Sequence, residues 1–472
     1  MKLTLIHPCI GRRLNQPYIR SWQMEPLAPA VLSALTPPEI QRVFYNDGLE
    51  PIPFDQPTDL VAMNVEAYTA KRAYQIASEY RKRGVPVVMG GVHATLCPED
   101  VAQYADAVVM GEAEEIWENV LADAEIGALK TFYRAQARPA HLHAHPDRSI
   151  FGGKNYFPLG LVETGRGCHF RCDFCSVQSA YQHTYACHAT KDVIEEIKKQ
   201  RRALYFFVDD NISADMERAK ALLRALIPLK IRWVSQCSIN AACDEEFVQL
   251  LAASGCYGIL IGFESLNPES LKKMNKGSNL MNGAYETGLA NLRKYKLRIY
   301  ATFIFGYDDD DETSFETTFR YAMENKFYLA AFNHLMPFPG TQLYKRLEAE
   351  GRLLYEKWWL DDAYRFNRIP FQPKNMTPQL LQQSCLAARR RYFNFRNVLK
   401  RSFDPVNSFP LPLWPAFFGI NSLFQKEVGQ RNLFPLGDEG WQGNLIKVRE
   451  RVELPEIETL LAHSNQAKIP DA

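Results

Sequence analysis

The sequence predicts an α/β protein built on two successive parallel sheets. A doubly wound sheet comes first, then a partial, open (β/α)6 barrel of the TIM type, then a mostly helical C-terminal region. Three observations carry this expectation. Apolar runs alternate with helical stretches over residues 1 to 135, and the alternation restarts at Leu159 and gives six more units. Residues 136–158 between the two series hold Pro139, Pro146, Pro158, Gly152 and Gly153, the composition of a linker. Beyond residue 349 the strand–helix rhythm stops.

In the first series the strands are Leu3–Ile6, Val43–Tyr45, Leu60–Asn64, Val85–Met89 and Ala107–Met110. Helices are expected over Leu27–Leu35 and Ala70–Arg83, the second closed by Gly84. In the second series the strands are Leu159–Val162, Leu204–Val208, Ile231–Gln236, Gly258–Gly262, Ile299–Phe305 and Leu329–Leu335. Helices Asp192–Arg202, Met216–Leu226, Glu245–Ala253 and Thr313–Glu324 fill gaps between them. Parallel sheets of both kinds bind ligands at the C-terminal ends of their strands.

Composition narrows the function. A chain of 472 residues suggests two or three domains, and a 46% hydrophobic content suffices for packed cores. A net charge of +1 gives no overall electrostatic case for nucleic acid. No apolar run approaches the ~20 residues of a membrane span. Met1–Pro8 reads as a strand rather than a signal peptide. Ten cysteines without a signal argue for a reducing cytoplasm rather than a disulfide framework.

Three of those cysteines, Cys168, Cys172 and Cys175, fall within eight residues, just after Gly165 and Gly167 and at the end of an expected strand. Thiolates so spaced hold metal. Structural zinc takes four protein ligands, and its cysteines tend to come in pairs, but no second C-x2-C occurs here. An iron–sulfur cubane normally takes four thiolates, so three would leave one iron open. Elsewhere, His141, His143 and His145 lie in the expected linker without acidic or cysteine neighbours, and read as solvated. Cys9 reads as a packing residue.

The C-x3-C-x2-C spacing, with the aromatic Phe174 before the last cysteine, resembles the radical S-adenosylmethionine (SAM) enzymes. The resemblance covers the partial barrel, residues 159–349, and implies a 4Fe-4S cluster on Cys168, Cys172 and Cys175. These are then the metal-holding and catalytic residues, with the open iron chelating the amino and carboxylate groups of SAM. It also implies cofactor contacts from Phe174, Asp210, Ser238 and Glu264. Upstream, Gly90-Gly91-Val92-His93-Ala94-Thr95 and Gly111-Glu112-Ala113-Glu114 resemble the Rossmann-like cobalamin-binding domain attached to many of these enzymes. The candidates there are Gly90, Gly91, His93, Thr95, Gly111 and Glu112. The base-off motif D-x-H-x-x-G is absent, so no histidine ligand to cobalt from that motif is expected.

The implied layout is a cobalamin-binding domain at 1–135, a linker at 136–158, the barrel at 159–349 and a helical cap at 350–472. The implied reaction is reductive cleavage of SAM to a 5′-deoxyadenosyl radical, followed by cobalamin-dependent methylation of an unactivated carbon. A small-molecule or lipid-like substrate and an external one-electron reductant such as flavodoxin or ferredoxin go with it. Cyclisation, oxidation or rearrangement on the same scaffold, a cobalamin or redox sensor, and a zinc-binding module are the alternatives. The cap is read as packed on the barrel, with a basic helix Gln379–Leu399 (Arg389, Arg390, Arg391, Arg396) and an aromatic, proline-rich stretch 410–424. That stretch suits an apolar substrate or a membrane surface.

Overall fold

The computed structural model describes residues 1–16, 18–19, 23–136, 141–408 and 413–448. Pro139, the start of the proline-rich stretch (409–412) and the end of the expected cap (449–472) lie outside the described residues.

The first sheet has six parallel strands: β1 (Lys2–His7), β2 (Gln41–Asn46), β3 (Leu60–Asn64), β4 (Val87–Gly90), β5 (Ala107–Met110) and β6 (Phe132–Arg134), in spatial order β2-β1-β3-β4-β5-β6. Both faces are covered, which is why the strands read as continuous apolar runs. Leu3, Leu5, Val88 and Val109 pack towards one face with Trp117. Ile6, Val61, Met63 and Met89 pack on the other with Tyr74 and Ile76 of a helix. Those two sides are formed by α1 (Leu27–Leu35) and α3 (Trp117–Glu125), and by α2 (Ala70–Arg81). The strand order reverses direction between β1 and β3, so a ligand crevice opens beyond their C-terminal ends. The short β6 was not expected.

The second sheet is the open barrel. Its strands β7 (Gly160–Val162), β8 (Tyr205–Phe207), β9 (Trp233–Cys237), β10 (Cys256–Glu264), β11 (Arg298–Phe305) and β12 (Leu329–His334) lie side by side in sequence order, all parallel. In β11 the residues alternate: Ile299, Ala301, Phe303 and Phe305 are buried, while Tyr300, Thr302 and Ile304 are only partly so. The buried set packs outward with Phe315 and Phe319, which belong to α8 (Glu312–Glu324). The other set therefore faces the barrel interior. The remaining barrel helices are α4 (Thr190–Gln200), α5 (Met216–Leu226), α6 (Glu245–Ala253), α7 (Ala284–Lys294) and α9 (Gln342–Ala349).

The two ends of the chain depart from expectation. The helix expected over Gln379–Leu399 is two, α10 (Pro378–Phe393) and α11 (Phe395–Ser402). Asn394 breaks it by leaving helical geometry and capping α11 through a hydrogen bond accepted from Asn397 N–H. A last helix, α12 (Trp414–Arg431), follows. The region after the barrel does not pack on the barrel alone. Trp358, Trp359 and Tyr364 join the core of the first sheet, and Tyr68 from that sheet packs on Phe338, Trp358 and Phe366. Gly437–Asp438 pairs with Gly11–Arg12, and Val448 N–H reaches Gln103 O. The linker contributes a strand too: His141–Leu142 pairs with Cys187–His188, which continues from the thiol loop.

Candidate active site

The thiol loop leaves β7 at Val162 and enters the barrel's C-terminal mouth. Its start is fixed by the end of β8. Asp209 is fully buried; its carboxylate accepts hydrogen bonds from Thr164 N–H at 2.6 Å and from the Thr164 hydroxyl. Asp210 accepts from Gly167 N–H at 2.8 Å. Gly167 has φ +95, and a Cβ there would overlap Thr184 O, so only glycine fits. The middle of the loop is held by Asp173. Its backbone N–H donates to Met274 O, its carbonyl accepts from Leu343 N–H, and its buried carboxylate accepts from Tyr307 Oη at 2.6 Å.

The three thiols lie between these anchors. Cys172 is buried and Cys168 and Cys175 are half-buried. Cys175 Sγ accepts backbone N–H bonds from Gln178 and Val177, which favour its thiolate against the burial that raises its pKa. Asn211 Nδ2 donates to Cys168 Sγ at 3.8 Å. Other cysteines are engaged elsewhere: Cys9 donates to Asp47 at 2.9 Å and Cys256 to Gly258 O at 3.3 Å. Three thiols on one short loop, with no carboxylate paired to them among the described residues, fit a cubane with an open corner.

Opposite the thiols stands a pair that the sequence reading half found. Glu264 ends β10 with φ 64, a strained value for a non-glycine residue, where the register to β11 slips. Lys276 Nζ lies 3.5 Å from its carboxylate. Burial opposes the lysine's charge, but Glu264 and all three thiols outweigh it and hold its pKa above the usual value. A cation whose side chain is 13% exposed, beside a carboxylate and three thiols, is suited to an anionic or zwitterionic ligand. Lys276 was missed because it lies between the expected strands Gly258–Gly262 and Ile299–Phe305, in a stretch that carries no motif. Only its distance from Glu264 along the chain could have suggested it. Ser238 is buried at the end of β9, 3.4 Å from Ser213 Oγ. Phe174 packs against the barrel core, which makes it a support for the loop rather than a contact facing its open side.

The first sheet's strand ends line a cavity of about 1250 Å³ of empty space, counting the part open to solvent; Glu163, Arg166, Tyr181 and His188 bound it on the barrel side, while the three thiols, Glu264 and Lys276 do not line it. Leu27, Ala28, Val31 and Val88 give it an apolar wall, and Glu66, Glu112, Glu163, Arg166 and Tyr181 give it polar ones. Glu66 is exposed and opens into it. Gly90, Gly91, Thr95, Gly111 and Glu112 all line the cavity.

Their local roles differ from that expectation. Gly91 has φ +102, and a Cβ would overlap Asn64 Oδ1, so the chain itself demands glycine there. Thr95 Oγ1 donates to Gly91 O at 2.9 Å and accepts from Gly111 N–H at 3.0 Å, bracing two strand ends. Glu112 pairs with Arg166 of the thiol loop, which also meets Glu114 at 3.2 Å and Glu163 at 2.7 Å. His93 is a correction. It does not line the cavity, but is buried 3.5 Å from Asp100 and edge-on to Trp359. His93 sits in the helix turn Val92–Leu96, where it and Ala94 are buried.

An open parallel barrel with three clustered cysteines on its first loop, joined to a doubly wound domain, defines a radical SAM type of enzyme. The family profile described as the radical SAM superfamily matches residues 162–322, and that of radical SAM proteins, N-terminal, matches residues 52–138. Bacteriochlorophyllide d C-12(1)-methyltransferase of Chlorobaculum tepidum is 32% identical over 380 residues, covering 78% of this chain and 81% of that protein. Bacteriochlorophyllide d C-8(2)-methyltransferase of the same organism is 27% identical over 398 residues, covering 80% and 87%. The structure of the radical SAM methyltransferase TsrM from Kitasatospora setae, with cobalamin and a [4Fe-4S] cluster bound, matches with a TM-score of 0.65 at 16% identity, over 91% of this chain and 99% of that one. The chain belongs to the radical SAM enzymes, on their methyltransferase branch.

Proposed function

We propose that the protein methylates an unactivated carbon of an apolar, ring-based small molecule, with SAM, a 4Fe-4S cluster and cobalamin as its cofactors. The bacteriochlorophyllide methyltransferases it resembles support the substrate class. Bound together, the cluster and SAM supply a 5′-deoxyadenosyl radical, and cobalamin supplies the methyl group. Cys168, Cys172 and Cys175 would hold the cluster. Lys276 meets the carboxylate of SAM and Glu264 its ammonium, an arrangement that places opposite charges on a zwitterion. Asp209 and Asp210 keep the loop from moving when the cluster changes charge. The apolar wall from α1 and Val88 takes the corrin ring, and Arg166 with Glu112 holds the two domains in register around the substrate. The barrel mouth excludes water from the radical. The domain limits are 1–135, 136–158 as the connection, 159–349 and 350–472. A flavodoxin or ferredoxin supplies the electron.

The observation that carries this reading is the thiol loop set against the Lys276–Glu264 pair. The test is anaerobic purification with cluster reconstitution. The expected result is about four irons per chain, 5′-deoxyadenosine formed from SAM on reduction, and uptake of one corrin. Cys172→Ala is expected to lose the cluster and the cleavage. SAM cleavage that survives in Cys172→Ala defeats the assignment. Cleavage without corrin uptake makes the outcome a radical reaction other than methylation.

A further inference from the structure

The C-terminal helices carry charge and apolar surface that the active site does not use. Residues 389–426 hold seven basic side chains and one acidic one, Asp404, in a chain whose net charge is +1. Asp404 is buried against Arg293, and Arg391 pairs with Glu316. Arg390, Arg396, Lys400 and Lys426 are exposed, with no carboxylate within ion-pair reach among the described residues. Beside them, Phe395 is 71% exposed, Phe403 72%, Trp414 42% and Leu423 43%. Trp414 and Phe395 both pack on Phe418, at 5.0 and 6.4 Å between ring centres, which joins α11 and α12 into one patch. Contiguous exposed aromatics mark an interaction surface. The opposite side of α12 looks inward: Phe417 is buried, and Phe424 lies 5.7 Å from Tyr300, which faces the barrel interior.

We propose that the outer face of α11 and α12 docks on an anionic phospholipid bilayer. Aromatic rings at the level of the headgroups, flanked by unpaired lysine and arginine, are the chemistry that such a surface recognises. The uncompensated positive charge argues for an anionic leaflet over a neutral apolar partner or a second copy of this chain, whose matching face would carry the same charge. Bound this way, α12 lies between the bilayer and the end of the barrel opposite the thiol loop, since Tyr300 stands near the start of β11. The docking is measured without substrate, so it fails or holds separately from the proposed function.

The test is flotation of the full-length protein with vesicles of phosphatidylcholine alone or mixed with phosphatidylglycerol. The expected result is co-flotation with the anionic vesicles, weakened about tenfold by high salt and by neutral vesicles. Arg396→Glu with Lys400→Glu, and separately Phe395→Ser with Trp414→Ser, are expected to lose about tenfold in binding with unchanged melting temperature and gel-filtration volume. Wild-type protein that stays in solution with anionic vesicles overturns the proposal. So does binding unaffected in both folded variants, or a wild-type dimer that Phe395→Ser with Trp414→Ser converts to monomer.

Discussion

The thiol loop after β7 and the glycine loops after β4 and β5 look alike in the sequence: short, glycine-containing and placed at strand ends. The structure separates them. In the glycine loops almost every polar or special group is already used by the protein. Gly91 avoids Asn64, Thr95 bridges Gly91 and Gly111, Glu112 is tied to Arg166, and His93 is turned into the core. In the thiol loop the backbone is held just as firmly, by Asp209, Asp210 and Asp173, but its sulfurs are left without carboxylate partners. A strand-end loop announces a ligand by what it leaves unsatisfied, not by its glycines.

Breaking the thiol side is expected to have the largest effect. Lys276→Met leaves Glu264 buried without its cation, which costs about 3 kcal/mol of stability. It should also cut SAM cleavage by about a hundredfold, and a rate within a few-fold of wild type would show that Lys276 does not meet SAM. Gly91→Ala attacks the other side. The positive φ and the overlap with Asn64 are expected to cost about 3 kcal/mol, seen as an early melting transition, with the iron–sulfur absorbance of the folded fraction unchanged.

The anchor of the thiol loop has its own signature in pH. Burial pushes Asp209 up to about 6 against the bonds from Thr164 and Gly165, with Glu163 adding to the rise. A carboxyl whose folded pKa is raised contributes stability that is full below its unfolded pKa and is lost as pH rises through the folded value. Asp209→Asn keeps an acceptor for Thr164 N–H and removes the charge. The stability of wild type relative to this variant is therefore expected to fall by about 3 kcal/mol from pH ~4 to pH ~8. A difference that stays flat across that range, in a series of thermal melts, would contradict it. The smallest effect is expected at His93. His93→Gln should leave corrin affinity within about twofold, whereas a large loss would return it to the cavity.

Much of this was legible beforehand because strand periodicity and cysteine spacing are local signals. Leu27–Leu35, Leu60–Asn64, Met216–Leu226 and Glu245–Ala253 fall where the pattern puts them. What was not legible depends on contacts distant in sequence. Lys276 matters only because Glu264 and the thiols surround it, and His93 is decided by Asp100 and Trp359. The return of residues 437–448 to the first sheet is a pairing with Gly11–Arg12 that no local pattern announces. The split of α10 from α11 was readable in principle, since Asn394 is a strong N-cap residue within an otherwise helical run.

The central claim is that three thiols hold a cluster with one iron open to SAM. Electron paramagnetic resonance of the anaerobically reduced protein, recorded with and without SAM, tests it most directly. The account predicts a reduced-cluster signal that changes its g-values when SAM is added and is absent in Cys172→Ala. A signal that SAM leaves unchanged, or one that persists in Cys172→Ala, would contradict it.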